Sequence, residues 1–389
     1  MKHHRLHERT WSLLRFVLRP YLKRRFNYTY EECNIEGPYL VMANHDTNWD
    51  PLFLGCAFPK QMYFVASEHI FRWGLVSKLL NFFLAPISRM KGKTAADTAM
   101  TILRRLKKGY NVAMFANGSR SFNGISEDIL PSTGKLARSG GVTLVTYRLE
   151  GGYFTEPRWN TAGIRKGKIK GKVMGVYSAE ELKKMSVDEV NELIRRDLYV
   201  DAYEIQQQEW VEYKSSNAAE SLETVLCICP KCGRIGYMRS LGKDFWCSYC
   251  KYSVVYGKYG YFGGPEVIYD NVTSWDKFQT ERFIAMADEA KENEPIFHDN
   301  GYALIEVGAD HSSKKLGSGP IALYRDRFEC CGMSFPLHEL GGFALHGPVV
   351  ANFSHDGHSY ELKPSQTRCT RKYQTVIHHL HSRGAEMQS

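Results

Sequence analysis

The 389-residue chain is long enough for two or three domains, and its 43% hydrophobic and 24% charged residues are typical of globular proteins and exclude a disordered chain. The net charge of +9 is unevenly spread. Residues 1–175 contain 28 Lys and Arg against 12 Asp and Glu, whereas the remaining residues contain 23 against 30. The basic front half predicts an anionic partner, such as a phosphate-bearing substrate, an acidic lipid surface or nucleic acid.

Neither a transmembrane helix nor a secretory signal is predicted. The most apolar stretch, residues 70–90, contains Arg72 and Lys78, and its uncharged runs are too short to span a bilayer. The N-terminal apolar stretch is interrupted by Arg15 and Arg19. Ten cysteines without a signal indicate a reducing compartment, so we expect a cytoplasmic protein.

The N-terminal segment, residues 1–35, is predicted to contain a basic amphipathic helix at 9–26 that Pro20 kinks or breaks. Its apolar residues recur at helical spacing: Trp11, Leu14, Val17, Leu18, Tyr21 and Leu22. Tryptophan together with lysine and arginine on such a helix favours peripheral association with an anionic membrane surface. The alternative is a helix packed on its own domain with a solvated basic face.

The next segment, residues 36–213, alternates buried strands with helices, which predicts an α/β domain. Strands are expected at 39–44, 62–66, 111–115 and 142–148, and a helix at 95–108. Ser178-x-x-Glu181 and Ser186-x-x-Glu189 predict two helix capping boxes.

A histidine and an aspartate enclose the loop after the first of these strands. Asp50 precedes Pro51, which favours the start of a helix, so Asp50 is predicted to cap that helix. Within one continuous helix, His45 and Asp50 would lie about 140° apart. Across a strand–loop–helix corner the carboxylate can reach the imidazole, fix its tautomer and stabilise its protonated form.

Three sequence blocks follow one another in a recognisable order. They are Asn44-His45-x4-Asp50, then Ala85-Pro86-Ile87-Ser88-Arg89, then Phe115-Ala116-Asn117-Gly118-Ser119-Arg120-Ser121. This order resembles the glycerolipid acyltransferase superfamily, which includes lysophosphatidic acid and glycerol-3-phosphate acyltransferases. That family carries Asn-His-x4-Asp, an apolar-x-Arg block and Phe-Pro-Glu-Gly-x-Arg-Ser. This chain departs from it at Ala116, where proline is usual, and at Asn117, where the family has glutamate.

The resemblance implies an acyltransferase in which His45 is the general base and Asp50 orients it. It implies a thioester donor, acyl-CoA or acyl carrier protein, and a hydroxyl acceptor of the glycerol-phosphate or lysophospholipid type. The implied substrate-binding residues are Asn44, Arg89, Asn117, Gly118, Ser119 and Arg120. Guanidinium groups match phosphate geometry, which suits Arg89 and Arg120 to an acceptor phosphate. Asn117 lacks the charge of glutamate, so acceptor preference is expected to differ or activity to be weak.

A second basic stretch, residues 158–172, holds six basic residues and no acidic one. It is a candidate for binding lipid headgroups, the phosphates of coenzyme A or an acyl carrier protein. The alternative is a solvated loop face.

Two Cys-x2-Cys pairs, separated by 14 residues, predict a zinc ribbon at 225–260 after a linker at 214–224. Cys229, Cys232, Cys247 and Cys250 would form a closed, structural four-thiolate Zn²⁺ site.

The last segment, residues 261–389, is predicted to contain a helix at 274–292, several short strands and a C-terminal helix at 371–381. Such a small β-rich domain loosely resembles a pleckstrin-homology domain. Cys330-Cys331 and His378-His379-x-His381 allow a metal site, but adjacent cysteines rarely chelate one ion, and we favour the interpretation without metal.

Two other functional classes remain open at this stage. One is a membrane-associated lipid-binding or scaffold protein that keeps the acyltransferase fold without turnover, as Asn117 and the appended domains suggest. The other is a nucleic-acid-binding zinc-ribbon protein. The ribbon lies in the net-negative half of the chain, so nucleic-acid binding is not expected.

Overall fold

The computed structural model describes residues 3–67, 74–89, 95–308 and 312–386. The chain divides into two compact units. Unit 1 comprises Met1–Arg158 and Ile164–Ser215, and unit 2 comprises Trp159–Gly163 and Ser216–Ser389.

Unit 1 is an α/β structure, as predicted. Its helices are α1 His4–Phe26, α2 Asp50–Ala57, α3 Leu75–Phe83, α4 Ala95–Lys107, α5 Ser132–Gly140, α6 Gly152–Thr155, α7 Ala179–Lys184, α8 Val187–Leu198 and α9 Ala202–Glu209. Its strands are β1 Tyr28–Tyr30, β2 Tyr39–Ala43, β3 Met62–Ser67, β4 Ile87–Arg89, β5 Asn111–Phe115, β6 Thr143–Glu150 and β7 Ile169–Tyr177. They form one sheet in the order β1-β7-β6-β2-β5-β3-β4, in which β6 and β7 pair antiparallel and the other described pairs are parallel.

The central strand β2 is buried on both faces of this sheet. Its odd-numbered residues pack in a cluster with α1 and α2, and its even-numbered residues pack in a second cluster with α4, α5 and α8. This alternation follows from the two-residue period of a strand and explains why the run Tyr39–Ala43 is apolar throughout. The strand therefore ends at a fixed point in the middle of the sheet, two residues before His45.

Helix α1 is continuous from His4 to Phe26, so the predicted break at Pro20 is wrong. Pro20 is exposed, and packing of the opposite face holds the helix together on both sides of it. That face buries Trp11, Leu22 and Phe26 in the core of unit 1. A second apolar set lies on the outside: Leu13, Phe16, Val17 and Tyr21.

The two predicted capping boxes are confirmed at the starts of α7 and α8. In each, the serine side chain accepts from the main-chain N–H of the glutamate, and the glutamate side chain accepts from the N–H of the serine. They anchor the helices that cover one face of the sheet.

Unit 2 combines a small antiparallel Cys-rich sheet with a larger antiparallel β domain and a C-terminal helix, the architecture predicted for this region. The small sheet has the order β11-β10-β9-β8, from β8 Met238–Leu241, β9 Asp244–Cys247, β10 Ser253–Tyr256 and β11 Phe262–Gly263. Helix α10, Val272–Glu289, follows it. The larger sheet has the order β15-β14-β13-β12-β18-β17-β16. Its strands and the last helix are β12 Phe297–Val307, β13 Ser313–Leu323, β14 Arg327–Cys330, β15 Met333–Pro336, β16 Gly341–His346, β17 Val350–His355, β18 His358–Pro364 and α11 Arg371–Glu386.

Helix α10 joins the ribbon to the β domain. The indole of Trp275 donates to the carbonyl of Ile228 at 2.9 Å, and Gln279 bonds the main chain at Val225 and Cys227. The predicted linker also packs into this unit, since Ala219 and Leu222 are buried. The ribbon and the β domain thus belong to one compact unit.

Among the described residues, no helix is both long and apolar enough to cross a membrane. The three histidines of α11 considered above as possible metal ligands have hydrogen-bond partners in the protein. His378 and His381 bond the carbonyls of Phe343 and Leu337, and His379 pairs with Asp288.

Candidate active site and candidate metal centre

His45 and Asp50 are brought together across the β2–α2 corner. The Nδ1 atom of His45 lies 2.8 Å from Oδ2 of Asp50, whose side chain is 1% exposed, whereas the imidazole is 23% exposed. Since Nδ1 faces the carboxylate, Nε2 is the nitrogen left for a substrate proton. The imidazole also stacks on Phe115, with centroids 4.5 Å apart and planes 18° apart, so its orientation is fixed by two contacts.

Asp50 holds the whole loop as well as the histidine. Its Oδ2 accepts from the main-chain N–H of Asp46 at 2.7 Å and of Thr47 at 2.9 Å, and its Oδ1 accepts from the Thr47 hydroxyl at 2.6 Å. Asp50 is the first residue of α2 and Trp49 stands at the cap, so the predicted capping by Asp50 is wrong. Its carboxylate turns back onto the loop instead of toward the helix N–H groups.

Asn44 lies directly before the histidine and is 1% exposed. Its amide exchanges two hydrogen bonds with the main chain of Leu149 in β6, at 2.8 and 2.7 Å. These bonds fix the end of β2 against the end of β6.

Asn117, Gly118 and Ser119 form the turn after β5. The amide N–H of Asn117 donates to the carbonyl of Glu127, while its buried Oδ1 has no hydrogen-bond partner among the described residues. Gly118 has φ of +66°, a conformation that glycine adopts without strain. The Ser119 hydroxyl accepts from Arg158 at 2.5 Å. Arg89 ends β4, but its side chain lies outside the part of the chain that the structure describes.

Arg120 connects the third sequence block to the histidine loop. Its Nε donates to the carbonyl of Asp46 at 2.7 Å, and its Nη2 donates to the carbonyl of Glu156. The same Nη2 lies 3.9 Å from the Glu156 carboxylate. The Arg120 side chain is 14% exposed and thus largely buried.

The segment 152–158 is a part of the site that sequence reasoning missed. Gly152 packs against Asp46 and Thr47, Glu156 bonds Asn48 and Arg120, and Arg158 bonds Ser119 and the carbonyl of Arg120. No local motif marks this segment. Its partners lie between 36 and 108 residues earlier, so only the fold identifies it.

Asp46 is a second missed residue. Burial, together with the neighbouring charge of Asp50, raises the pKa of its carboxyl to about 7, while Arg120 and Asn44 oppose the shift. The site therefore contains a carboxyl group beside the histidine that changes charge near neutral pH.

The four predicted cysteines form one cluster in unit 2. Their sulfur atoms all lie within 4.8 Å of one another, with Cys229 and Cys250 3.6 Å apart and Cys232 and Cys247 3.9 Å apart. A tetrahedral ion with metal–sulfur bonds of about 2.3 Å requires sulfur separations of about 3.8 Å. The residues thus fit a four-thiolate metal ion, and among the described residues this is the one group of three or more such side chains that could hold a metal.

A family model and a solved structure are similar to parts of this chain. Residues 24–150 match the family model described as "Acyltransferase". A solved structure, the 1-acyl-sn-glycerophosphate (LPA) acyltransferase PlsC from Thermotoga maritima, is similar over 48% of this chain and 78% of its own, with 17% identity and a TM-score of 0.39. No curated protein matches the chain significantly.

Proposed function

We propose that unit 1 transfers a fatty acyl group from a thioester, acyl-CoA or acyl carrier protein, to a hydroxyl of a glycerol-phosphate or lysophospholipid acceptor. The observation that carries this proposal is the His45–Asp50 pair, in which a partly exposed imidazole is held by a buried carboxylate. The match of residues 24–150 to the acyltransferase family supports the same reaction class.

In the proposed reaction, Nε2 of His45 takes the proton of the acceptor hydroxyl as its oxygen attacks the thioester carbonyl. The tetrahedral intermediate collapses, the carbon–sulfur bond breaks, and the imidazolium returns its proton to the departing thiolate. Asp50 stabilises the imidazolium between the two transfers. Because Asp50 is itself fixed by the main chain of the loop, the base is preorganised. The acceptor hydroxyl attacks the thioester directly, so the proposed reaction requires no covalent acyl-enzyme.

Arg120 is the described residue best placed to bind an acceptor phosphate, and we assign Arg89 the same role from its place in the second block. Arg120 joins the loop that carries His45, so a phosphate held there would lie near the base. Gly118 would let the main chain approach the substrate.

Peripheral attachment to the cytoplasmic face of a membrane is part of the proposal. The outward face of α1 exposes Leu13, Phe16 and Val17 by 64%, 78% and 57%, and α3 exposes Leu75 and Phe82 by 72% and 49%. Cationic residues are exposed at both ends of α1: Arg5, Arg9, Lys23 and Arg24. Apolar side chains flanked by cations suit an anionic lipid surface.

Part of the stretch 158–172 is buried or ion-paired. Arg158 and Arg165 are buried, Lys168 and Lys170 pair with Glu209, and Lys172 pairs with Glu150. Lys166 is exposed, so it is the cation of this stretch most accessible to coenzyme A or a carrier protein.

We also propose that the four-cysteine cluster holds a structural Zn²⁺. Thiolates favour this ion, and a closed four-ligand site leaves no position for a substrate. Zinc there would stabilise unit 2 and take no part in acyl transfer.

The test of the proposed activity is thiol release from acyl-CoA or acyl carrier protein with glycerol 3-phosphate, lysophosphatidic acid or an uncharged monoacylglycerol as acceptor. Wild type should release thiol in step with acylated product, His45→Ala should not, and His338→Ala should behave as wild type because His338 is 78% exposed in unit 2. Full activity of His45→Ala would end the proposal.

A scaffold that binds lipid without turnover is the second candidate. The observation that favours it is Asn117, a neutral side chain whose N–H is already used by Glu127. Tight lipid binding together with no thiol release from any donor would support this candidate.

A further inference from the structure

The carboxylate of Glu156 lies between the loop that carries His45 and the loop that carries Arg120. Its Oε2 accepts from the main-chain N–H of Asn48 at 2.9 Å, and its Oε1 accepts from the Asn48 side chain at 2.9 Å. The same Oε2 lies 3.9 Å from Nη2 of Arg120. Both side chains are largely buried, Arg120 with 14% and Glu156 with 16% exposure. Screening by solvent is therefore weaker here than for an ion pair on the open surface.

Arg120 is consequently not a free cation. Its Nε is used by the carbonyl of Asp46, its Nη2 is used by the carbonyl of Glu156, and its charge is opposed by the Glu156 carboxylate. A phosphate that approaches this guanidinium meets a negative charge a few ångströms away. Like charges at that distance disfavour each other, so the phosphate binds well only if Glu156 moves away or loses its charge.

We propose that Glu156 is a specificity-determining residue that competes with an anionic acceptor for Arg120. The inference rests on the proposed function, because it concerns the acceptor site of that reaction. When phosphate displaces the carboxylate, the two bonds to Asn48 are lost as well, and Asn48 lies between His45 and Asp50 in the catalytic loop. Glu156 therefore sets how much an anionic acceptor is favoured over an uncharged one, and it links acceptor binding to the position of that loop.

The variant that isolates the charge is Glu156→Gln, which keeps the size of the side chain and an oxygen that can accept from the Asn48 N–H. The matched control is Glu209→Gln. It removes one negative charge from the same unit at a carboxylate that pairs with Lys168 and Lys170 rather than with Arg120.

The first measurement is binding of glycerol 3-phosphate to the full chain by calorimetry, with glycerol as the uncharged probe. We expect Glu156→Gln to bind glycerol 3-phosphate at least about fivefold more tightly than wild type. Glu209→Gln should stay within about twofold of wild type, and glycerol should not discriminate among the three proteins. Unchanged or weaker binding of glycerol 3-phosphate by Glu156→Gln would overturn the inference.

The second measurement separates specificity from a merely structural role. In Glu156→Gln, KM should fall for lysophosphatidic acid and stay constant for monoacylglycerol. An equal loss of kcat with both acceptors would show that Glu156 only supports the loop, and it would overturn the inference. Glu156→Asp, which keeps the charge, should keep the acceptor preference of wild type. If Glu156→Gln does not fold, Glu156→Ala takes its place with the same expected tightening and the same control.

These outcomes separate the two proposals. If wild type transfers no acyl group but Glu156→Gln still binds glycerol 3-phosphate more tightly, the proposed function fails and the competition at Arg120 stands. If wild type transfers acyl groups and the tightening is absent, the inference fails alone.

Discussion

Gly152 lies so close to Asp46 that a Cβ atom at position 152 would sit 2.8 Å from the Cβ of Asp46 and 3.1 Å from Cγ2 of Thr47. These two residues follow His45 and donate main-chain hydrogen bonds to Asp50. The segment after β6 therefore helps to set the position of the loop that carries His45.

Gly152→Ala should displace this loop by a few tenths of an ångström and lower activity by at least about tenfold, since small misplacements of a catalytic group are costly. Assayed as thiol release, the loss should appear mainly in kcat. Gly163→Ala is a useful comparison because a Cβ there meets no atom within 4 Å, although its positive φ makes the substitution mildly strained. Wild-type kcat in Gly152→Ala would show that the loop tolerates the shift.

Asp46 should make unit 1 less stable as pH rises toward neutrality. Its pKa in the folded protein is about 7, above the ordinary value of 3.8, so the folded state binds more protons than the unfolded state between these values. Its contribution to stability is therefore present at low pH and is lost as pH rises through 7. Asp46→Asn, which resembles the protonated form, should be more stable than wild type at pH 8 by on the order of 1–3 kcal/mol, and the difference should shrink toward pH 5. Hydrogen exchange of unit 1 amides at each pH measures this difference in the free energy of unfolding.

The control for that experiment is Asp128→Asn, since the Asp128 side chain is 93% exposed. It should leave the pH dependence of stability unchanged. Equal slopes for wild type and Asp46→Asn between pH 5 and 8 would contradict the raised pKa of Asp46.

Substitutions at Asp50 should separate charge from loop support. Asp50→Asn keeps an oxygen for His45 and the two main-chain donors, and the Thr47 hydroxyl can turn to accept from the new amide. We expect its stability to stay within about 1 kcal/mol of wild type while kcat falls about 10–100-fold, because the imidazolium loses its counter-charge. Asp50→Ala should abolish activity and destabilise unit 1 by roughly 2 kcal/mol or more, since it leaves buried donors unpaired. Thermal unfolding measures the stability of the two variants, and thiol release measures their activity. Equal losses of stability in Asp50→Asn and Asp50→Ala would contradict the separate roles of the charge and of loop support.

Replacing Cys232 or Cys250 with serine should remove the metal and lower the unfolding temperature of unit 2. Metal binding supplies much of the folding free energy of such modules. The loss should extend to the β domain, because α10 bonds the ribbon at Ile228 and Val225. Elemental analysis should give one zinc per chain for wild type and for the control Cys331→Ser, whose thiol lies outside the cluster. Protein purified without chelator and free of zinc would contradict the assignment.

Phe16→Glu should weaken binding to anionic vesicles by at least about tenfold, since full burial of such a side chain is worth roughly 1.5–3 kcal/mol. Val176→Glu places the same charge at another exposed apolar position of unit 1, 47% exposed on β7, and should bind like wild type. Added salt should weaken but not abolish binding of wild type. Cosedimentation with vesicles measures all three proteins, and equal binding by Phe16→Glu and wild type would rule out the outer face of α1 as the contact.

The sequence by itself predicts those features of the protein that depend on residues close together in the chain. The strand before His45, the pairing of His45 with Asp50 across a corner, the two capping boxes and the four-cysteine cluster all follow from local spacing. A capping box is closed by side chains three residues apart, and a Cys-x2-Cys pair turns two sulfur atoms toward one point. Such geometry depends little on the rest of the chain.

The tertiary structure decides what happens between residues that are far apart in sequence. Asn44 bonds Leu149 in β6, and Glu156 bonds Asn48, although 105 and 108 positions separate these pairs. The same is true of Asp46, whose raised pKa results from burial that its own polar neighbours do not suggest. The continuity of α1 through Pro20 likewise depends on Trp11 and Leu22 finding partners in the core. Burial and long-range contacts exist only in the packed chain. They decide the protonation state, the hydrogen-bond partners and the position of side chains that the sequence only names.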